Sequence, residues 1–395
     1  MGVRWDPTDR SFKADPYPTY RAMLENEPLH HSPFGLTVIS RYEDCMTVYR
    51  HPAASNDWRK SPDWEPTFET EAPALSFLFL DPPDHTRLRG LVSRAFTPKR
   101  VEQLRPRAQQ IVDQVLDQAE AGGSMEVVGD LAFPLPVLMI CEMLGVPAEE
   151  VDEFKEWSAV TARGLDPPFT WPPGLEERHR AAEEQAMAYF RDLIARRRSQ
   201  PGDDLLSGLL EAEEQGDKLT EAELLRVLYL LLVAGHETTV NLIANGVLAF
   251  ARHPDQFERL RADPSLTRSA VEEVLRFDPP VHIVGRVLLD DIELSCGTVH
   301  QSERLVTLPA AANHDQRQFR RPDIFDIGRS ENRHLGFGFG AHTCIGSPLA
   351  RLEGQVALGT LARRFRAIEL EQDPLPYKDN ITLRGIATLG VTLHS

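Results

Sequence analysis

Positive charge is scarce in this 395-residue chain: 43 Lys and Arg face 60 Asp and Glu, a formal net charge of −17. That deficit excludes general nucleic-acid binding, which needs a basic surface to displace counterions from phosphates. Cysteine is scarce too, with four residues at 45, 141, 296 and 344 and no CxxC pair, so neither a zinc site nor a disulfide framework is indicated. Long apolar runs are missing. The longest, Val227 to Gly235, falls well short of the roughly 18 to 20 residues of a membrane-spanning helix, and the opening residues 1–7 have no apolar signal core. These absences lead to the expectation of a cytoplasmic protein with no membrane anchor. No repeat, low-complexity tract or Gly-Ser linker divides the chain, so a single domain over residues 1–395 is expected.

What is present is ordinary globular composition patterned mostly as helix. Apolar residues recur at helical spacing over roughly 17–26, 99–121, 137–144, 181–199, 220–251, 267–277 and 348–365. Runs rich in β-formers at 36–40, 281–289, 304–308 and 386–394 add a minor sheet component. Proline-containing stretches at 52–83 and 163–174 read as long loops, which are usually functional. The fold class is therefore mainly α with a minor β portion.

The clearest helix starts at Thr220, where Thr220 and Glu223 form a capping box ahead of a Leu-rich run. Extending to about residue 251, it would be about 45–50 Å long, and a helix this apolar on all sides must be buried. Its middle breaks the pattern: Ala234-Gly235-His236-Glu237-Thr238-Thr239 puts a glycine, a carboxylate and hydroxyls where Leu or Ala would pack better. Such breaks mark a site or a packing notch. A zinc-protease HExxH is excluded because Val240 stands where the second histidine is needed.

A second feature is the glycine-rich run Gly336-Phe337-Gly338-Phe339-Gly340-Ala341-His342-Thr343-Cys344-Ile345-Gly346, followed by Ser347-Pro348 and an amphipathic helix. Cys344 thus lies at or just before a helix amino terminus, where free N–H groups favour a thiolate. The glycines admit backbone amides and a flat partner close to the sulfur. Such a thiolate can ligate a metal or act as a nucleophile, and an inert buried cysteine fits this segment alone as well. Gly336, Gly338 and Ala341 also meet a loose dinucleotide-binding pattern, but the polar Glu331–His334 stretch before them is not the strand it requires.

The loop resembles the FxxGxHxCxG motif of the haem-thiolate monooxygenases, the cytochromes P-450, through Phe337, Gly340, His342, Cys344 and Gly346, and Ala234–Thr239 resembles the oxygen-binding segment of their central helix. Glu273-Val274-Leu275-Arg276 is similar to the family's ExxR, whose i,i+3 spacing puts both charges on one helical face. Asp326-Ile327-Gly328-Arg329 resembles the segment leading to the haem loop, and His85 with Arg89 resembles the family's HxxxR. His300-Gln301 and Gly390 depart from common turn residues of the family.

The resemblance implies a cytochrome P-450 fold with haem b, iron protoporphyrin IX, between a long central helix and the Cys-ligand loop. Cys344 would be the iron ligand, its thiolate favouring O–O cleavage. Phe337, Gly338, His342 and Gly346 would line the cofactor, with Ala234 and Gly235 on its other face. His85, Arg89, Arg286 and His342 would meet the propionates, and Glu273, Arg276 and Arg329 would form a structural ion-pair network. Glu237 and Thr238 would deliver protons to dioxygen, so that a small, largely apolar molecule is hydroxylated or otherwise oxidised. Substrate walls are expected at Trp58, Trp64, Phe68 and Phe77, at Phe169 and Trp171, at Val233 and Ala234, at Val281, His282 and Ile283, and at Ile386, Ala387 and Thr388. Since 395 residues leave no room for a reductase module, the resemblance implies a separate ferredoxin and ferredoxin reductase, steered by Arg94, Lys99, Arg100, Arg105 and Arg351. A peroxide-driven enzyme is disfavoured by the retained Glu237 and Thr238, and a haem sensor would have no use for them.

Overall fold

The long helix spans Glu221–Arg252. Its capping box is reciprocal: the Thr220 N–H donates to Glu223 Oε2 at 2.8 Å, and the Glu223 N–H donates to Thr220 Oγ1 at 3.2 Å. The computed structural model describes residues 2–62, 74–214, 219–301 and 303–395. Trp64 and Phe68 lie outside the described residues, as does the side chain of Phe169. The chain divides into two compact units, one of residues 1–55, 105–135 and 238–395, the other of 56–104 and 136–237, with the boundary inside the long helix.

All ten strands found among the described residues belong to the first unit. They are β1 (Leu29–His31), β2 (Thr37–Ile39), β3 (Ala54–Ser55), β4 (Ser124–Glu126), β5 (Val284–Leu288), β6 (Ile292–Leu294), β7 (Gly297–Val299), β8 (Arg304–Thr307), β9 (Ala367–Leu370) and β10 (Gly390–His394). The largest sheet has the order β1-β2-β8-β5-β3, with only β2 and β8 parallel. A second sheet runs β4-β10-β9, and β6 with β7 makes a hairpin. One core of this unit gathers Trp5, Tyr20, Met23, Val38, Ile283 and Val306; another gathers Ile39, Cys45, Tyr49, Leu288, Leu305 and Leu335.

The second unit is helical among its described residues. Helices Asp152–Gly164 and Leu175–Ser199 meet through Phe154, Trp157, Tyr189 and Phe190, with Phe154 edge-on to Trp157 at 5.1 Å and to Tyr189 at 5.0 Å. The loop between these helices, read as open over 163–174, is tied down. Arg163 pairs with Asp166 and donates to the Thr170 carbonyl at 2.6 Å, and Trp171 Nε1 donates to the Asp166 carbonyl at 2.7 Å.

The helix expected over 99–121 is two, Pro98–Gln103 and Arg105–Gly122, because Pro106 has no N–H to offer the Glu102 carbonyl. Helices Tyr42–Arg50, Asp84–Ala95, Asp152–Gly164, Leu205–Glu214 and Pro254–Ala262 escaped the periodicity reading. Two helical stretches, Val127–Leu144 and Glu221–Arg252, are long and apolar enough to cross a membrane by length and composition, and the second is mostly buried. This corrects the reading of apolar runs as uniformly short. The turn at His300-Gln301 is closed by Asp291, which accepts from the Gln301 N–H at 2.7 Å and contacts His300 Nδ1 at 3.1 Å.

Candidate active site

Cys344 is the one exposed cysteine of the four. Burial pushes the thiols of Cys141 and Cys296 up to about 12 and raises that of Cys45 further, so none of the three is a ready thiolate. Cys344 stands three residues before helix Ser347–Arg364, and its N–H donates to the Phe337 carbonyl at 2.9 Å. Gly338 and Gly340 take φ of +67° and +77°, where a side chain would be strained. A Cβ on Gly340 would also lie 2.6 Å from the Tyr49 carbonyl.

The loop's two phenylalanines are each covered by a guanidinium, Arg351 lying 4.5 Å from the Phe337 ring centre and Arg50 lying 4.4 Å from that of Phe339. Arg351 is itself held by Glu272, with Nε to Oε1 at 2.6 Å. His334 bridges the pair to the loop: its Nδ1 accepts from the Gly336 N–H at 3.1 Å, so Nε2 carries the proton donated to Glu272 Oε2 at 3.0 Å. Burial pushes the Glu272 carboxyl up, yet the bonds from His334 and Arg351 hold its pKa at about 2.

At the centre of the expected ion-pair network, Glu273 and Arg276 are fully buried. Arg276 Nε and Nη2 each meet Glu273 at 2.8 Å, and both side chains have 0% exposure. Arg276 also donates to the carbonyls of Asn313 and Pro322 at 3.0 and 2.8 Å, and Arg329 joins through Nε at 3.1 Å from Glu273 Oε2. Sequence reasoning missed two members: Asn332 donates to Glu273 at 3.1 Å, and Asn313 Oδ1 accepts from the Leu335 N–H at 2.7 Å. Ala312-Asn313-His314-Asp315 also resembles the family's segment leading to the haem loop, but a neutral amide carries no charge pattern that would place it in an ion-pair network. Together they pin the chain that enters the cysteine loop. Arg286, on β5, is nearly buried over the Tyr49 ring at 5.4 Å, and the Tyr49 hydroxyl contacts Thr307 Oγ1 at 2.8 Å.

On the long helix, burial is interrupted along one stripe: Ala234 is exposed, and Gly235 and Thr238 are partly so, while Val233, His236, Glu237, Thr239 and Val240 are buried. Ala234 and Thr238 are four residues apart and share a face. A Cβ on Gly235 would come within 3.0 Å of the Ile140 side chain. In the second unit, His85 opens helix Asp84–Ala95 and is 2% exposed, its ring 6.4 Å from Phe77. Burial, with the Arg89 charge behind it, lowers the His85 pKa.

The expected walls need correction. His282 is 3% exposed and is taken up by Tyr20, whose hydroxyl meets its Nδ1 at 3.0 Å, while Ile283 belongs to the Trp5 core. Ile386 is fully buried. The residues left accessible in these segments are Val281, Ala387 and Thr388. Val233 and Phe77 are buried, and Trp58 is 38% exposed.

A mainly helical fold that presents one open cysteine on a glycine loop, held by a buried Glu–Arg network, defines a haem-thiolate enzyme. Residues 29–390 match the family Cytochrome P450. The chain is 40% identical to vitamin D(3) 25-hydroxylase of Pseudonocardia autotrophica, over 97% of this chain and 95% of that one. It is 36% identical to the polyketide biosynthesis cytochrome P450 PksS of Bacillus subtilis, over 99% of both. The crystal structure of ligand-free CYP164A2 of Mycobacterium smegmatis superposes with a TM-score of 0.89 at 45% identity, covering 98% of each chain. The chain belongs to the cytochrome P450 family, and it is a monooxygenase whose cofactor is haem b.

The loop suits that cofactor. A Cβ added at Gly346 would meet only Cys344 Sγ, at 3.8 Å, and one at Gly338 would meet only the His342 carbonyl, at 3.9 Å. The side of the loop next to the sulfur is therefore open to a flat ring, and a soft thiolate is the donor that haem iron takes in this class.

Proposed function

We propose that Cys344 is the iron ligand and that the chain, acting as one haem domain, uses dioxygen and two electrons to hydroxylate a small, largely apolar organic molecule in the cytoplasm. The observation that carries this reading is the open stripe Ala234–Thr238 in an otherwise buried helix, joined in one chain to the open cysteine loop. When bound, haem supplies the oxidising chemistry that no side chain can. The protein's part is proton handling and positioning. Gly235 lets the helix approach Ile140 closely, where a Cβ would come within 3.0 Å. The Thr238 hydroxyl, on the same stripe, donates a hydrogen bond to dioxygen, and the buried Glu237 carboxyl beside it passes a proton to Thr238 Oγ1. His85, Arg89, Arg286 and His342 are assigned to the propionates, with Phe337, Gly338 and Gly346 against the ring.

Val281, Ala387 and Thr388 are assigned to the substrate wall. The names of the relatives, a vitamin D(3) 25-hydroxylase and a polyketide biosynthesis enzyme, fit a substrate that is mostly apolar. The family needs redox partners as electron donors, and a ferredoxin with its reductase is the pair proposed here. Of the basic residues proposed to receive the ferredoxin, Arg351 pairs with Glu272, and Arg94, Lys99 and Arg100 are the positions chosen for charge reversal.

The test is the absorption spectrum of dithionite-reduced protein under carbon monoxide, for wild type and Cys344→Ser. A strongly red-shifted Soret band that vanishes in the variant is expected. A band unaffected by the substitution would remove Cys344 as the ligand. Charge reversal at Arg94, Lys99 and Arg100 should slow reduction by ferredoxin but not by dithionite, and an unchanged ferredoxin rate would reject that docking face.

A further inference from the structure

The two accessible wall segments of the first unit, around Val281 and around Ala387, are joined by polar chemistry that the reaction itself does not use. Asp278 follows helix Thr267–Phe277 directly and accepts from Arg384 Nε at 3.2 Å and from the Tyr17 hydroxyl at 2.6 Å. The Arg384 and Asp278 side chains are only 9% and 14% exposed. The backbone closes the same junction: the Arg384 N–H donates to the Pro280 carbonyl at 2.7 Å, the His282 N–H donates to the Thr382 carbonyl at 2.9 Å, and Val281 bridges Leu383. Three residues beyond Arg384 lies Ala387, whose N–H donates to the Pro376 carbonyl at 2.8 Å.

The long helix holds this junction from a second direction. Asn245 Nδ2 donates to the Asp278 carbonyl at 3.0 Å, and Asn241 Oδ1 accepts from Lys378 Nζ at 3.3 Å. Asn241 also presses on the loop, since a Cβ on Gly385 would come within 2.0 Å of its Oδ1. Asn241 lies three residues from Thr238, so the atoms that register the loop and the hydroxyl assigned to dioxygen ride on adjacent turns of one helix.

We propose that Asp278, Arg384 and Asn241 are specificity-determining positioning residues: they lock the Val281 and Ala387 segments to each other and to the long helix, and so set the position in which a bulky substrate is held. This rests on the haem-thiolate reading above. A bidentate-capable guanidinium on a buried carboxylate fixes orientation as well as distance, and a site displaced by about 1 Å loses on the order of a hundredfold in productive placement.

The test uses haem-loaded protein titrated with two iron-binding probes, imidazole, which is too small to reach the walls, and clotrimazole, which fills the space above the haem, each followed by the Soret shift. Arg384→Gln is expected to weaken clotrimazole by at least about tenfold and imidazole by less than about twofold, with Arg384→Lys recovering part of the difference. Parallel losses for both probes, or no loss for either, would overturn the proposal. Should Arg384→Gln not accumulate as haem protein, Lys378→Met severs the milder link to Asn241 and is expected to shift the clotrimazole-to-imidazole ratio in the same direction by about threefold; an unchanged ratio overturns the proposal equally. Absence of any Soret shift in wild type with both probes would instead reject the haem-thiolate reading on which it rests.

Discussion

Glu273 and Glu353 both have no exposure to solvent, and their helices, Thr267–Phe277 and Ser347–Arg364, pack against each other where a Cβ on Gly354 would come within 3.3 Å of Val271. Glu273 is surrounded by donors: Arg276 at 2.8 Å twice, Arg329 at 3.1 Å, Asn332 at 3.1 Å and the Asp326 N–H at 3.0 Å. Glu353 has none of comparable strength. Burial pushes its carboxyl well above the ordinary value, and the Thr239 hydroxyl is the one group that favours its charged form. The same residue type at the same depth thus meets two guanidiniums in one place, while in the other burial dominates and favours the neutral acid. The first arrangement binds distant chain segments together and is costly to break. The second binds little and is cheap to replace.

The sharpest way to break the contrast is Glu273→Gln. The substitution keeps the shape but strands two guanidiniums, one of them with no exposure. Loss of one partner of a buried pair costs about 3–5 kcal/mol. Denaturant unfolding followed by far-UV circular dichroism should show that loss, together with poor recovery of haem-loaded protein. A change under about 1 kcal/mol would mean that the network is incidental to stability.

Arg329→Leu comes next. Glu273 keeps Arg276, while the bonds from Arg329 to the carbonyls of Arg320 and Ile324, at 2.8 and 3.1 Å, are lost. Arg329 is 11% exposed, so water replaces part of what is removed. A loss of about 1–3 kcal/mol is expected from the same unfolding measurement. Equality with Glu273→Gln would show that both arginines are needed to hold the carboxylate.

This contrast also marks what a reader of the sequence could see. Glu273, Arg276 and Arg329 were legible because the family motif names them, and the cysteine loop because its glycines and Ser-Pro helix start have a local physical meaning. The long helix was legible from its capping box and its apolar run. Asn313, Asn332 and Tyr49 were not, since a neutral side chain that satisfies a carbonyl or covers a guanidinium leaves no periodic or charge signal. His282 and Ile283 were placed on the substrate wall because position along the family chain cannot say which way a side chain turns; Tyr20 and the Trp5 core decide that, and both come from more than 260 residues away. Glu353 was passed over because a lone glutamate on an amphipathic helix reads as a solvent-facing residue.

Glu353→Gln should have the smallest effect, and its pH dependence carries the information. The folded-state pKa of Glu353 is raised above the unfolded value near 4.5, so the folded protein holds a proton that the unfolded chain releases. Stability from this group is complete below about pH 4.5 and is lost as pH rises toward the folded pKa, because the unfolded state then binds fewer protons than the folded one. Glutamine cannot titrate and imitates the neutral acid. At pH 4 the variant and wild type should therefore agree within about 1 kcal/mol, and as pH rises to 8 the variant should become the more stable of the two. Thr239→Val in the wild-type background should steepen the decline, since it removes the one hydroxyl that favours the charged carboxylate. Urea midpoints at pH 4, 6 and 8 settle the matter: a difference that stays flat, or that grows in favour of wild type, would mean that Glu353 is ionised in the fold and that the two carboxylates are alike after all.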